Sequence, residues 1–187
     1  MTQHRITNVH TLHDGWGKLL KLTIRLPDGE SIEREVEDHG AAVAVLPYDP
    51  DRRVAILVGQ FRPPVFHAAG VASLLEAPAG MLDEDDPAAC ARREAMEEVG
   101  LRLGAVEPVG AVWSSPGVST ERIHLFLARY SRGDRVSSGG GLEEEHENID
   151  VREIPIADLY RMADEGEIAD LKTLALVQIL RLRHPLP

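Results

Sequence analysis

The sequence predicts an α+β chain, or one with helices layered on a sheet as αβα, and three observations lead there. Two short and almost fully apolar runs, Ala41 to Leu46 and Val54 to Val58, have the composition of buried central strands. One sharply bounded helix follows, opening at Asp86-Pro87 and stopping at Gly100. Two further helical stretches, near residues 156–165 and 169–182, close the chain.

The elements follow in order. Lys18 to Leu26 and Ser31 to Glu37 alternate partially and flank Pro27-Asp28-Gly29-Glu30, which predicts a hairpin. A lone hairpin is marginal in water, so this one packs on its own domain or on a second subunit. The expected division is a hairpin region over residues 1–39 and a main domain over 40–187. Pro47 to Asp51 reads as the turn between the two apolar strands. A Gly/Ala-rich loop is expected after Arg62-Pro63-Pro64, then a short strand near Leu74 to Ala77. Beyond the capped helix come strands near residues 105–113 and 122–130, a Ser/Gly/Glu-rich loop over 137–147 and a strand at 149–153. No internal repeat is visible.

Composition narrows the function. The 187 residues hold 31 acidic side chains against 20 Lys and Arg, a formal charge of −11. Such a balance argues against a nucleic-acid binder, which relies on clustered cations. Hydrophobic residues at 43% and charged residues at 27% fit a globular protein. Aromatics at 4% leave the core to Val, Leu, Ile and Ala. Cys90 is the only cysteine, so no internal disulfide or cysteine zinc site can form. Its place mid-helix among alanines predicts a packed thiol. Neither a signal peptide nor an apolar run of roughly 18 residues is visible, which sets the expectation of a cytoplasmic protein with no membrane partner.

Chemistry concentrates on the capped helix. Glu94, Glu97 and Glu98 stand at i, i+3 and i+4, so their carboxylates share a face and repel. They also lie toward the helix C-terminus, where the macrodipole disfavours negative charge. Binding hard divalent cations would turn that repulsion into attraction. The plainer reading is a solvated acidic face paired with Arg92 and Arg93.

Gly80, the acidic turn after it, the capped helix and Arg93-Glu94-Ala95-Met96-Glu97-Glu98-Val99-Gly100-Leu101 resemble the Nudix box, G-x5-E-x7-R-E-U-x-E-E-x-G-U with U apolar. The interval from Gly80 to Arg93 is one residue shorter than usual, so Asp85 or Asp86 stands for the first acid of the box. The resemblance implies a Nudix fold, an αβα sandwich with a mixed β-sheet, preceded by the small hairpin domain.

Gln60-Phe61-Arg62, Ser115-Pro116-Gly117 and Glu121 resemble the nucleoside diphosphate sugar branch, which includes ADP-ribose pyrophosphatases. Within it, Arg34-Glu35-Val36, Glu76 to Asp83, Gly139-Gly140-Gly141 and Gly166-Glu167-Ile168 with Asp170 and Lys172-Thr173 are most similar to the GDP-mannose pyrophosphatases. What this implies is Mg²⁺-dependent hydrolysis of a nucleotide sugar to a nucleoside monophosphate and a sugar phosphate, with GDP-mannose the first substrate and ADP-ribose the alternative. Two or three Mg²⁺ ions, with Mn²⁺ as a substitute, would be held by Glu94, Glu98, the Ala79 carbonyl and Glu147. Glu97 would lie close by as a further catalytic residue. Either Glu147 or Glu145 would act as the base, and Glu145 or Glu144 could take part of the metal-ligand role of Glu147. The resemblance further implies substrate contacts from Arg62 and Lys172, from Ala79, Gly80 and Met81, and from Glu121. In a domain-swapped homodimer Trp16, Arg34 and Glu35 would reach the neighbouring subunit's substrate. A non-catalytic nucleotide-sugar sensor would have lost acids of the box, and here all of R-E-x-x-E-E stand.

Overall fold

The computed structural model describes residues 3–83, 86–141 and 148–185, and the chain divides into two compact units. One unit comprises residues up to Ala41 together with Trp113–Arg122, and the other comprises Ala42–Val112 with the rest of the chain from Ile123.

The first unit is an antiparallel sheet in the order β1 (Arg5–Asp14), β2 (Lys18–Arg25) and β3 (Ser31–Asp38). The expected hairpin is its second and third strands. β2 and β3 pair without interruption from Lys18↔Asp38 to Arg25↔Ser31. Their turn closes through Gly29 N–H to the Leu26 carbonyl, with Gly29 at φ 94°. The additional strand is β1, whose apolar residues Ile6, Val9 and Leu12 recur every third position. That spacing hides the period of two, and two register shifts against β2 accompany it. All of β1 is exposed. Residues 118–120 dock on β3, with Glu37 N–H bonded to the Val118 carbonyl and Thr120 N–H to the Glu37 carbonyl.

The second unit is a seven-stranded sheet with helices on both faces. Its strands are β4 (Ala41–Asp49), β5 (Val54–Gln60), β6 (Leu74–Glu76), β7 (Ala79–Met81), β8 (Glu107–Trp113), β9 (Arg122–Arg129) and β10 (Asp150–Pro155). The spatial order is β10-β5-β4-β9-β8, with β6 on β5 and β7 on β4. The helices are α1 (Pro63–Ala69), α2 (Pro87–Val99), α3 (Ile156–Asp164) and α4 (Leu171–Arg183).

Alternation along almost wholly apolar strands explains the layers. In β4, Ala44, Leu46 and Tyr48 join the cluster that includes Ile156 and Leu159 of α3 and Leu176, Val177 and Leu180 of α4. The intervening Val43 and Val45 join Cys90, Ala91, Ala95 and Val99 of α2 on the opposite face. β5 divides the same way, with Ala55 and Leu57 on one face and Ile56 and Val58 on the other. α1 occupies the segment expected to be a loop. Two prolines at its start suit the first helical turn, but no residue of it is buried, so no apolar stripe announced it.

One feature of the sheet positions the buried carboxylates of the second unit. β4 and β5 pair only at their hairpin end, Tyr48↔Ala55 and Asp49↔Val54. Farther along, β5 pairs with β6 (Val58↔Glu76) and β4 pairs with β7 (Val43↔Gly80). The two strands therefore part, and the chain from Glu76 to Gly80 crosses between them. Its Ala77 N–H donates to Thr173 Oγ1 at 2.7 Å, wholly buried. Replacing Thr173 with Val keeps the shape and orphans that N–H. The expected cost is about 1–3 kcal/mol, read from urea unfolding. Among the described residues no helix is long and apolar enough to cross a membrane.

Candidate active site

α2 is built from local rules. Asp86 caps it, its Oδ1 accepting from Ala88 N–H at 3.0 Å, and Pro87 takes the first turn. Gly100 ends it at φ 68°, its N–H reaching the carbonyls of Ala95 and Met96. Small residues, Ala91 and Ala95, let the helix lie close to the sheet. On the same buried side stand Glu94 and Glu98, only 7% and 2% exposed, while Glu97 is half-buried. The reading of all three acids as a solvated face therefore fails for two of them. Burying a carboxylate is costly unless something compensates it.

The Glu76–Gly80 crossing faces these acids. Ala79 N–H donates to Glu98 Oε2 at 3.2 Å. A Cβ on Gly80 would fall closer than 3.0 Å to the Glu94 carboxyl group, so the glycine makes room for that carboxylate. Arg93 bridges Glu94 at 2.9 Å and Glu97 at 3.1 Å. Burial pulls the Arg93 guanidinium down, but Glu94, Cys90 and Glu97 together outweigh this and hold it above its ordinary value. Two buried carboxylates on one helix face, beside main chain held at short range, suit a hard cation that takes oxygen ligands. Among the described residues no three His, Cys, Asp or Glu side chains are already gathered as a metal-holding group.

Beside this face lies a second cluster around Glu76, which is 2% exposed. Arg62 grips it with both arms, Nε to Oε1 at 2.8 Å and Nη2 to Oε2 at 3.1 Å. Lys172 Nζ bonds the same carboxylate and also Asp170 Oδ1 at 3.0 Å. Asp170 in turn caps α4 through Thr173 N–H at 2.9 Å. Burial pushes the Glu76 carboxyl up, yet the Arg62 bond and the Lys172 and Arg62 charges hold it below the usual carboxylate range. For Arg62, burial works downward and Glu76 upward, with Glu98 and Asp170 adding to the rise. Glu76 was absent from the residues expected to act. The signal for it was a charged side chain between apolar Leu74-Leu75 and Ala77, on a strand otherwise fit for burial.

The glycine run fixes the far end of α2. Gly140 N–H bonds the Glu98 carbonyl at 2.8 Å and Gly141 N–H the Glu97 carbonyl at 3.2 Å. All three glycines have positive φ, and a Cβ on Gly139 would collide with the Glu98 carbonyl and the Val99 backbone. Ile149 N–H returns to the Gly140 carbonyl at 3.4 Å. The residues flanking 142–147 thus meet beside the end of α2. Glu143, Glu144, Glu145 and Glu147, like Asp85, lie outside the described residues.

The other expected residues fall as follows. Arg62, Ala79, Gly80, Met81, Glu94, Glu97, Glu98 and Lys172 belong to the second unit, and Trp16, Arg34, Glu35 and Glu121 to the first. Trp16 is 88% exposed, its ring 5.3 Å from that of His39. That exposure excludes a core role within its own unit. Arg34 and Glu35 are exposed on β3, and Arg34 donates to the Glu33 carbonyl. Glu121 is half-buried, its N–H bonded to Ser119 Oγ at 3.1 Å. Met81 is exposed at its side chain, and its carbonyl accepts from the Cys90 thiol at 3.3 Å. Cys90 is packed as expected, and burial pushes its thiol up, away from nucleophilic chemistry.

Comparison with known proteins gives a consistent result. A family model described as the NUDIX domain matches residues 38–177. A GDP-mannose pyrophosphatase of Cronobacter sakazakii is 42% identical over 159 residues, covering 83% of this chain and 82% of that protein. One of Escherichia coli is 37% identical over 180 residues, covering 95% and 91%. Among solved structures, one titled as an ADP compounds hydrolase shares the fold, with TM-score 0.77 at 16% identity, covering 96% of this chain and 93% of that one.

Proposed function

The chain belongs to the Nudix family and is a Nudix hydrolase, and on that premise we propose that it cleaves the pyrophosphate bond of a nucleoside diphosphate sugar, GDP-mannose first. The observation that carries the reading is the pair Glu94 and Glu98, buried on one face of α2 against Ala79 and Gly80. Similarity to GDP-mannose pyrophosphatases over most of the chain supports the substrate.

Glu94, Glu98 and the Ala79 carbonyl would hold Mg²⁺, two or three ions in all, with Mn²⁺ as a substitute. When bound, the metal neutralises phosphate oxygens and lowers the pKa of a water. Glu97 sits one turn from Glu94, tied to Arg93, and would help set the charge of that face. Arg62 and Lys172 would contact the diphosphate, Arg62 being able to bind two oxygens at once. Gly80 and Met81 would line the approach through their main chain. Glu147 or Glu145 would take the proton of the attacking water, and the leaving phosphate would depart in line with that attack. Sequence resemblance supports this last assignment, as does the anchoring of both flanks of the acidic loop at the end of α2.

Trp16, Arg34, Glu35 and Glu121 are the candidates for base and sugar contacts, within a domain-swapped homodimer. The exposed ring of Trp16 and the wholly exposed β1 support such use. A sensor without catalysis fits less well, because every acid of R-E-x-x-E-E stands and two of them are buried where a cation would sit.

Release of nucleoside monophosphate from GDP-mannose and from ADP-ribose, each with Mg²⁺, tests the proposal. The expected result is turnover of GDP-mannose at the higher kcat/KM, abolished by a chelator and restored by excess Mg²⁺. Turnover of ADP-ribose alone would transfer the substrate to the second choice, and turnover of neither would refute the substrate class.

A further inference from the structure

Glu76 ties together three elements that share no neighbouring sequence. Arg62 lies just before α1, Glu76 ends β6, and Lys172 stands in the first turn of α4. The main chain at Glu76 is held on both sides of the residue, by pairing with Val58 and by the Ala77 bond to Thr173. Its carboxylate is therefore a fixed point, and two long cationic side chains converge on it. Stability alone does not account for such a cluster, since desolvation offsets most of the attraction in a buried ion network.

We propose that Glu76 is a positioning residue for anion recognition: its carboxylate sets the Arg62 guanidinium and the Lys172 ammonium in one frame for a diphosphate. The inference rests on the reading of Arg62 and Lys172 as diphosphate contacts. The pair with Glu76 engages Nε and Nη2, two of the five N–H donors of Arg62. Lys172 gives one donor to Glu76 and one to Asp170, of the three it has. Without Glu76 the two cations have different alternatives. Lys172 retains its bond to Asp170, while Arg62 loses the two bonds that fix its plane and is left to the charges of Glu98, the residue proposed to hold metal, and of Asp170. The frame would then come apart.

Calorimetric titration of GDP without metal reads this directly, on the wild type, Glu76→Asp and Glu76→Gln. Glu76→Asp keeps the charge but draws the carboxylate back by one methylene. GDP affinity is expected to fall about tenfold, since small displacements of a binding group are costly. Glu76→Gln, which also loses the charge, is expected to lose more. A purely structural role would lower the melting temperature and leave GDP affinity of the folded protein unchanged. Equal affinity in Glu76→Asp, or no GDP binding by the wild type, would overturn the proposal. Should Glu76→Gln fail to fold, Glu76→Asp decides. Turnover of nucleotide sugars, measured separately on the wild type, judges the proposed function on its own.

Discussion

Replacing Glu98 with Gln is expected to lower Mg²⁺-dependent hydrolysis by roughly 10²- to 10³-fold without unfolding the protein. Gln has the same shape and keeps a carbonyl oxygen for the Ala79 N–H, which now lies 3.2 Å from Glu98 Oε2. What disappears is the negative charge. At a site 2% exposed, that charge is costly to bury, and a bound cation would compensate it. The fold should therefore survive without metal, while stabilisation by added Mg²⁺ should shrink. Thermal melts with and without Mg²⁺, alongside a rate assay, separate the two effects. A Glu98→Gln protein with full activity would remove Glu98 from the metal site.

Gly80→Ala is expected to cost about 10²-fold in activity and little in stability. The added methyl meets the carboxyl group of Glu94, the far end of a flexible side chain, so the backbone need not shift. Glu94 would swing aside and lose its place over the crossing. A displaced catalytic-site carboxylate with an intact fold would show as unchanged urea unfolding and a weakened dependence on Mg²⁺. Large destabilisation with normal activity in the folded fraction would mean that Gly80 serves packing alone.

Much of this was legible in the sequence, for identifiable reasons. α2 is bounded by Asp86-Pro87 and Gly100, caps that act locally, and the structure places its ends there. β4 and β5 are apolar but for Tyr48 and Asp49 at the end of one and Gln60 at the end of the other, because both faces are covered, by α2 on one side and by α3 and α4 on the other. β1 and α1 escaped notice because neither buries a side chain, and burial is what imprints a period on sequence. Glu94 and Glu98 were recognisable from their spacing, but their burial was not. The face of a helix that turns inward depends on small residues such as Ala91 and Ala95 meeting the sheet. Glu76 was hidden for a similar reason. Its partners, Arg62 and Lys172, are 14 and 96 residues away, and only the parting of β4 and β5 brings the three together.

The identity of the products formed from GDP-mannose and Mg²⁺, read by phosphorus NMR, tests the central claim most directly. Cleavage between the phosphates gives GMP and mannose 1-phosphate, the result expected if the buried carboxylates of α2 serve a pyrophosphatase. Appearance of GDP and free mannose would place the cleavage at the sugar bond and contradict it, as would an unchanged substrate signal.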